Sequence, residues 1–242
     1  MAYESFAEFY DLFMQDADYA ARTKYLLSLF ESYDQRPNLL LDLACGTGSF
    51  SRAFHAFAVD TVGVDPSPEM LSIAHEKDPE GLYLMQSAEE LDLYGTVDGA
   101  ICCMDSVNHI VDYENLKTAF LKVSLFLEPQ RLFIFDVNTV YKHENILGNN
   151  AFVLENDGVF CSWQNATEGH FTDIYLDFFK ELPSGDYQRF SDLFTERAYT
   201  KEELTEALKA AGFKVEAVLG DLTDQPPEEN CDRVYFVARK IR

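Results

Sequence analysis

Two glycines and two acids give this chain its first chemical pattern. Leu39 to Gly48 reads Leu-Leu-Leu-Asp-Leu-Ala-Cys-Gly-Thr-Gly. A short apolar run ends in a tight glycine turn and a helix-compatible segment follows, the shape of a first parallel strand feeding a nucleotide-binding loop. Gly46 and Gly48 carry no Cβ, so backbone N–H groups of the loop can approach a ligand closely. Gly63-Val64-Asp65-Pro66-Ser67 comes next. Asp65 stands roughly 20 residues past the loop, where an acid can accept both ribose hydroxyls or, alternatively, cap a helix. Ser51 occupies the place of a third glycine, so the dinucleotide fingerprint G-x-G-x-x-G is incomplete.

A second group follows the fourth strand-like run: Cys103-Met104-Asp105-Ser106-Val107-Asn108-His109. Open α/β sheets form their ligand crevice at this point. Asp105 and His109 could handle a substrate proton, since His titrates near neutrality. The alternative is that they cap and position their loop. Trp163-Gln164-Asn165 holds the single tryptophan. Its ring could stack on a sulfonium or an amine, or it could be core. The five histidines are scattered, without H-x-H, H-E-x-x-H or Cys/His spacing, and no metal site is expected.

Alternating patterns position these groups. Phe6 to Tyr33 reads as one or two amphipathic helices, with Phe6, Phe9, Tyr10 and Phe13 at helical spacing. Strands are expected over 39–43, 61–64, 82–85, 97–103 and 131–135, with helices over 50–57, 68–77 and 113–127 between them. That order implies βαβ units and a parallel sheet. From about 151 to 199 the rhythm becomes a β-meander with turns at Asn156-Asp157-Gly158 and Pro183-Ser184-Gly185-Asp186. Both faces of the meander are partly apolar, so cover on both sides is expected. Thr200-Lys-Glu-Glu203 reads as a capping box for the last helix, and 213–219 and 233–238 as closing strands.

The bulk properties narrow the partners. The chain has 242 residues and a formal net charge of −23. A surface this acidic repels phosphate backbones and anionic bilayers, and a cationic or neutral small acceptor suits it better than nucleic acid. Five cysteines without C-x-x-C spacing suit free thiols in a reducing cytoplasm. The opening residues lack a basic start and long apolar core, and no run reaches the roughly 20 residues of a membrane span. A cytoplasmic monomer or homodimer is expected.

The string Leu-Asp-Leu-Ala-Cys-Gly-Thr-Gly resembles motif I of the class I S-adenosylmethionine (SAM) methyltransferases. In that family the loop, here Ala44, Cys45, Gly46 and Gly48, meets the amino-acid end of SAM, and an acid at Asp42 lies near its ammonium. Asp65 and Pro66 would then hold the ribose, and Met70, in Pro68-Glu69-Met70-Leu71, would lie against the adenine. Many relatives carry an acid after strand three; this chain has Ser87, followed by Ala88, whose N–H the resemblance would direct at the adenine. Met104 and Asp105 complete the expected cofactor set. Phe6-Ala7-Glu8-Phe9-Tyr10-Asp11 resembles an N-terminal helix that closes over the cofactor and lets Tyr10 reach it. Met104-Asp105-Ser106-Val107-Asn108 resembles the D-S-x-N motif of a bacterial group of these enzymes.

The resemblance implies a Rossmann-like, doubly wound, seven-stranded, mostly parallel sheet with an antiparallel last strand. Residues 1–140 and 200–242 would form the SAM-binding domain, with 1–36 as a helical lid and 141–199 as an inserted antiparallel β cap. It implies transfer of a methyl group to N or O of a small molecule held near Asn108, His109, Trp163 and Asn165. A non-catalytic SAM-binding protein and an NAD-dependent oxidoreductase are the alternatives. Asp65→Ala is expected to lower SAM affinity at least tenfold; an unchanged affinity by titration calorimetry would remove Asp65 from the cofactor site.

Overall fold

The computed structural model describes residues 6–241, so the first five residues of the expected lid lie outside the described residues. Helix α1 spans Phe6–Phe13, and a short 3-10 turn leads to α2, Tyr19–Glu31. The strand–helix alternation then runs β1 Leu39–Leu43, α3 Ser49–His55, β2 Asp60–Asp65, α4 Pro68–Lys77, β3 Leu82–Met85, β4 Gly99–Cys102, α5 Tyr113–Phe126 and β5 Leu132–Asn138. Side chains start the helices: Asp18, Ser67 and Asp112 each accept an N–H of the first turn of α2, α4 and α5. After four cap strands, β6 to β9, the chain returns through α6 Lys201–Ala210, β10 Phe213–Gly220 and β11 Arg233–Lys240. Thr200 and Glu203 form the capping box in full.

The main sheet has the order β10-β11-β5-β4-β1-β2-β3. β11 runs antiparallel to both β10 and β5, and the remaining pairs are parallel. Side chains alternate between two cores. Leu41, Phe133 and Phe135 face α5 and α6, whereas Leu40, Ile101 and Ile134 face α2 and α3. The order of connection reverses between β1 and β4. The helices leaving these strands depart in opposite directions, and a crevice opens between the two carboxyl ends. The glycine loop after β1 and the Met104–His109 segment after β4 both lie there.

Two strands differ from the sequence expectation. The ladder of β4 covers only Gly99–Cys102, because the Asp98 carboxylate turns away to accept the N–H groups of Asn38 and Leu39. β5 extends to Asn138 although Asp136 and Asn138 are polar, because β11 pairs along its whole length. Lys142–Leu147 forms a π-helical segment that no periodicity announced.

The cap is a four-stranded antiparallel sheet in the order β6 (Ala151–Asn156), β7 (Val159–Glu168), β8 (Phe171–Glu181), β9 (Tyr187–Arg197). Its inner face buries Val159, Cys161, Ile174, Leu176 and Phe178 against Phe9 of α1. The expectation of cover on both faces is corrected. Val153, Phe160, Tyr175 and Leu193 on the outer face are exposed, interleaved with polar cross-strand pairs such as Asp177–Arg189 at 2.8 Å and Asp173–Thr195 at 2.6 Å. Phe9 is 2% exposed and stacks on Phe178 with centroids 4.8 Å apart. Phe9→Ala is expected to cost about 3 kcal/mol of stability, measured by chemical denaturation; a cost below about 1 kcal/mol would show that α1 is not seated on the cap as the core requires.

Candidate active site

The carboxyl ends of β1 and β4 each leave the sheet through backbone that side chains disfavour. Ala44, Gly46 and Gly48 have φ of +58°, +53° and +71°, and Met104 and Asp105 have +58° and +55°. At Gly48 the absence of a side chain is a steric necessity as well, since a Cβ would lie 2.6 Å from the Tyr83 hydroxyl. Non-glycine residues in this region carry strain that the surroundings must offset. Here the offset is visible. Asp136 on β5 accepts the N–H groups of Met104 at 2.8 Å and Asp105 at 3.0 Å.

The loop after β1 is tied to β2 in the same way. Asp65, at the end of β2, accepts from Gly46 N at 2.9 Å through one oxygen and from Ser67 N at 2.9 Å through the other. Each oxygen can accept one further hydrogen bond. Asp42 is 1% exposed, and its carboxylate accepts the Ser51 hydroxyl at 2.6 Å. Burial, opposed by Ser51 and reinforced by Asp65, pushes the Asp42 carboxyl up to about 7. Ser51, which breaks the dinucleotide fingerprint, thus orients the buried acid. A narrow cleft opens beside Asp42, lined by Tyr10, Tyr19, Gly46, Cys103 and Met104.

The N-terminal helix is latched over this cleft. Lys77 Nζ donates to Asp11 at 2.8 Å and to Thr47 and Ser49 at 3.0 Å each, while the Thr47 hydroxyl donates to Asp11 at 2.8 Å. Tyr10 therefore stands on the cleft wall while Phe9, one residue earlier, sits in the cap core. Met70 is buried with its sulfur toward the glycine loop. Ser87 and Ala88 follow β3 at the same edge of the sheet, and the Ser87 hydroxyl reaches Glu90 at 3.3 Å.

On the β4 side, Arg233 at the start of β11 donates one guanidinium nitrogen to Asp136 and another to Asp105. Burial alone would raise the Asp105 carboxyl; the Arg233 charge overrides it and holds the group at about 2. Asp105 is thus a poor proton acceptor and serves its loop. Asn108 is fully buried and uses its amide on the Asn138 backbone and the Arg197 carbonyl, so it ties the loop to β5 and β9. His109 retains a partly exposed ring, packed 5.2 Å from Phe194, and burial lowers its pKa.

The cap completes the wall. Glu196 of β9 is 4% exposed and sits 3.7 Å from His109 Nε2. The donor atoms of Asp105, His109 and Glu196 lie within 4.8 Å of one another, a meeting that residue spacing did not foretell. Within this set Asp105 is already paired with Arg233. Trp163 and Asn165 come together elsewhere. The indole N–H donates to Asn165 at 2.6 Å, and the Asn165 amide reaches the Leu147 and Asn150 carbonyls. They fasten the cap to its π-helical stem.

The "Methyltransferase domain" family matches residues 10–218 of this chain. This chain belongs to that family. The YqeM protein of Bacillus subtilis (strain 168), a methyltransferase by name, is 30% identical over 100% of this chain and 98% of its own length. An S-adenosylmethionine-dependent methyltransferase of Clostridium acetobutylicum superposes with a TM-score of 0.90 at 31% identity over 99% of both chains. DesVI of Streptomyces venezuelae superposes at 0.83 with 26% identity, covering 97% of this chain and 98% of that one.

The protein is thus a SAM-dependent methyltransferase, and the NAD-dependent alternative falls away. Its residues fit the cofactor: a buried acid lining the cleft suits an ammonium, and the turn at Gly46, on the cleft wall, admits close backbone approach. Bound there, SAM supplies an electrophilic methyl carbon on a sulfonium. Asp42 would hold the ammonium and Asp65 the ribose, and Tyr10 with the latched helix would exclude water. Ser51, Asp136, Arg233 and Glu196 were not singled out as site residues in the sequence. The period-two run Phe190-Asp192-Phe194-Glu196 carried the signal for Glu196, since it puts acids on an otherwise aromatic face. A bound ammonium draws the Asp42 carboxyl down from about 7, so below that pH binding must release a proton and affinity must fall. Calorimetry in buffers of different ionisation enthalpy is expected to show proton release on SAM binding near pH 6, absent in Asp42→Asn. Equal proton counts in both proteins would place the ammonium elsewhere.

Proposed function

We propose that this enzyme transfers a methyl group from SAM to a nitrogen, or to an oxygen, of a small molecule held between the Met104–His109 loop and the cap. The observation that carries this reading is the convergence of His109 and Glu196 from separate parts of the fold, at the end of the segment whose Met104 and Ser106 line the cofactor cleft. An amine arrives as an ammonium at neutral pH and must lose a proton before it can attack; a buried imidazole–carboxylate pair meets that need. Aromatic faces close to the same place, Phe194 beside His109 and Tyr10 on the cleft wall, suit a cation.

The relatives point the same way. A Streptomyces venezuelae protein named dTDP-3-amino-3,4,6-trideoxy-alpha-D-glucopyranose N,N-dimethyltransferase is 27% identical over 88% of this chain and 92% of its own length. That similarity supports an amine as the reacting group. The formal charge of −23 weighs against nucleic acid as acceptor. The cap, taken as residues 141–199, would supply the specificity, with the lid over the cofactor.

The attack itself is direct displacement. The acceptor's lone pair forms a bond to the methyl carbon as the carbon–sulfur bond breaks, so alignment and water exclusion carry most of the rate. Incubation with methyl-labelled SAM and a panel of primary amines, secondary amines and hydroxyl compounds is expected to label amines first, read by mass spectrometry. Binding of SAM with no transfer to any amine or hydroxyl acceptor would replace this reading with a non-catalytic, SAM-sensing one.

A further inference from the structure

Glu196 is a carboxylic acid placed where an apolar side chain would pack well. It lies on the inner face of the cap in the ladder row Thr167–Thr172–Glu196, next to the row that holds Ile174 and Phe194. Burial there without partners would be costly, and its partners are few. Asn138 Nδ2 donates to Oε2 at 3.4 Å. His143 Nε2 faces the same oxygen at 3.5 Å and makes no closer hydrogen bond. The other carboxyl oxygen faces His109 Nε2 at 3.7 Å. His143 is itself 1% exposed, with Nδ1 on the Thr172 hydroxyl at 3.1 Å. An acid between two imidazoles, one buried behind it and one at the site, is a place for a mobile proton.

We propose that Glu196 is a positioning residue that gives His109 its basicity and receives, through His109, the proton lost by the methyl acceptor. This rests on the reading of the Met104–His109 loop and the cap as the acceptor site. The balance is simple. An ammonium gives its proton to His109, which passes one on to the Glu196 carboxylate. The freed nitrogen lone pair then forms the new bond to the methyl carbon, the carbon–sulfur bond breaks with its electron pair left on sulfur, and the proton later leaves to solvent.

The electrostatics agree. Burial, with the Asp105 charge beside it, pushes the Glu196 carboxyl up to about 8. Asn138, Lys142 and Arg233 act the other way. His143 is held neutral by burial, down to about 4, so it can accept a hydrogen bond from protonated Glu196 and does not compete as a cation. Asp136 is occupied by Arg233 and the loop N–H groups. His109 alone, with a pKa lowered by burial and only partly restored by the Asp105 charge, would be a weak acceptor for an alkylammonium proton; a second carboxylate 3.7 Å from its Nε2 gives that proton a further place to go.

The pair is empty of its proton only above the Glu196 value, so turnover should rise with pH through about 8. The test is the pH profile of kcat/KM with the best acceptor for the wild-type protein, Glu196→Gln and Glu196→Asp, alongside ring-carbon NMR of labelled histidine from roughly pH 5 to 10. Glu196→Gln is expected to lose the inflection and roughly 10- to 100-fold in kcat/KM, with the KM for SAM unchanged. Glu196→Asp should recover part of the rate and the inflection. In the wild type the His109 ring signal should shift with the same inflection. A Glu196→Gln profile that keeps the wild-type shape, or a His109 signal with no inflection dependent on Glu196, would overturn the proposal. If the amide variant does not fold, the aspartate profile and the wild-type spectrum decide it. If no acceptor is turned over at all, the acceptor reading falls and takes proton transfer with it. A missing His109 inflection in a protein that does turn over an acceptor overturns the Glu196 role alone.

Discussion

A single buried guanidinium organises the β4 side of this methyltransferase's crevice. Arg233 enters from the start of the last strand and bridges Asp136 of β5 to Asp105 of the loop after β4. Asp136 is fully buried, and the Arg233 guanidinium pairs with both carboxylates at once. Breaking such a set by removing one partner costs about 3–5 kcal/mol in comparable buried pairs. What the set secures is a backbone shape. Asp136 holds the N–H groups of Met104 and Asp105, two residues at positive φ, and thereby fixes the direction in which the loop leaves the sheet. The reversal of β11 follows the same logic, since an antiparallel strand beside β5 brings its first residue to the carboxyl edge, where the loop lies.

From that loop the constraint passes outward. Asn108 joins the loop to β5 and to the Arg197 carbonyl at the end of β9, so the cap is registered against the domain by buried hydrogen bonds as well as by its stem. Glu196 is the residue before Arg197, which is why it arrives beside His109. The other half of the site is held by the Lys77 latch, which gathers Asp11 of α1 with Thr47 and Ser49 of the glycine loop. Helix α1 thus serves two masters at once: Phe9 fills the cap core while Tyr10 lines the cofactor cleft and Asp11 holds the latch. A motion of the cap relative to the domain must therefore be felt at the cofactor, because the same turn of helix touches both.

The two halves differ in chemical character. The cofactor cleft is built from backbone turns and two acids at strand ends, an arrangement that any residue sequence of the right strand–loop pattern can present. The β4 side is built from side chains drawn from the loop after β4, β5, the π-helical stem, β9 and β11, separated by as much as 128 residues in the chain. Transfer from a sulfonium demands little covalent help, so selection falls on alignment and on the fate of one proton. That is consistent with the buried acid and imidazoles gathered here.

Much of the glycine-loop side of the crevice was legible in the sequence because its signals are local. The apolar run of Leu39–Leu43 and the glycines after it, and Asp65 at the end of the next strand, announce themselves within a window of about 20 residues. The capping box at Thr200 and the two-residue alternation of the cap strands did the same for their elements. Tertiary structure alone decided three things. It gave Ser51 to Asp42, because a helix turn after the loop points one hydroxyl back at the strand end. It spent Asn108, Trp163 and Asn165 on internal hydrogen bonds, because buried amides and indoles must find partners wherever the chain offers them. And it set Glu196 against His109 and His143, because the distance between residues on different sheets depends on how the sheets pack and leaves no mark on the spacing of either segment.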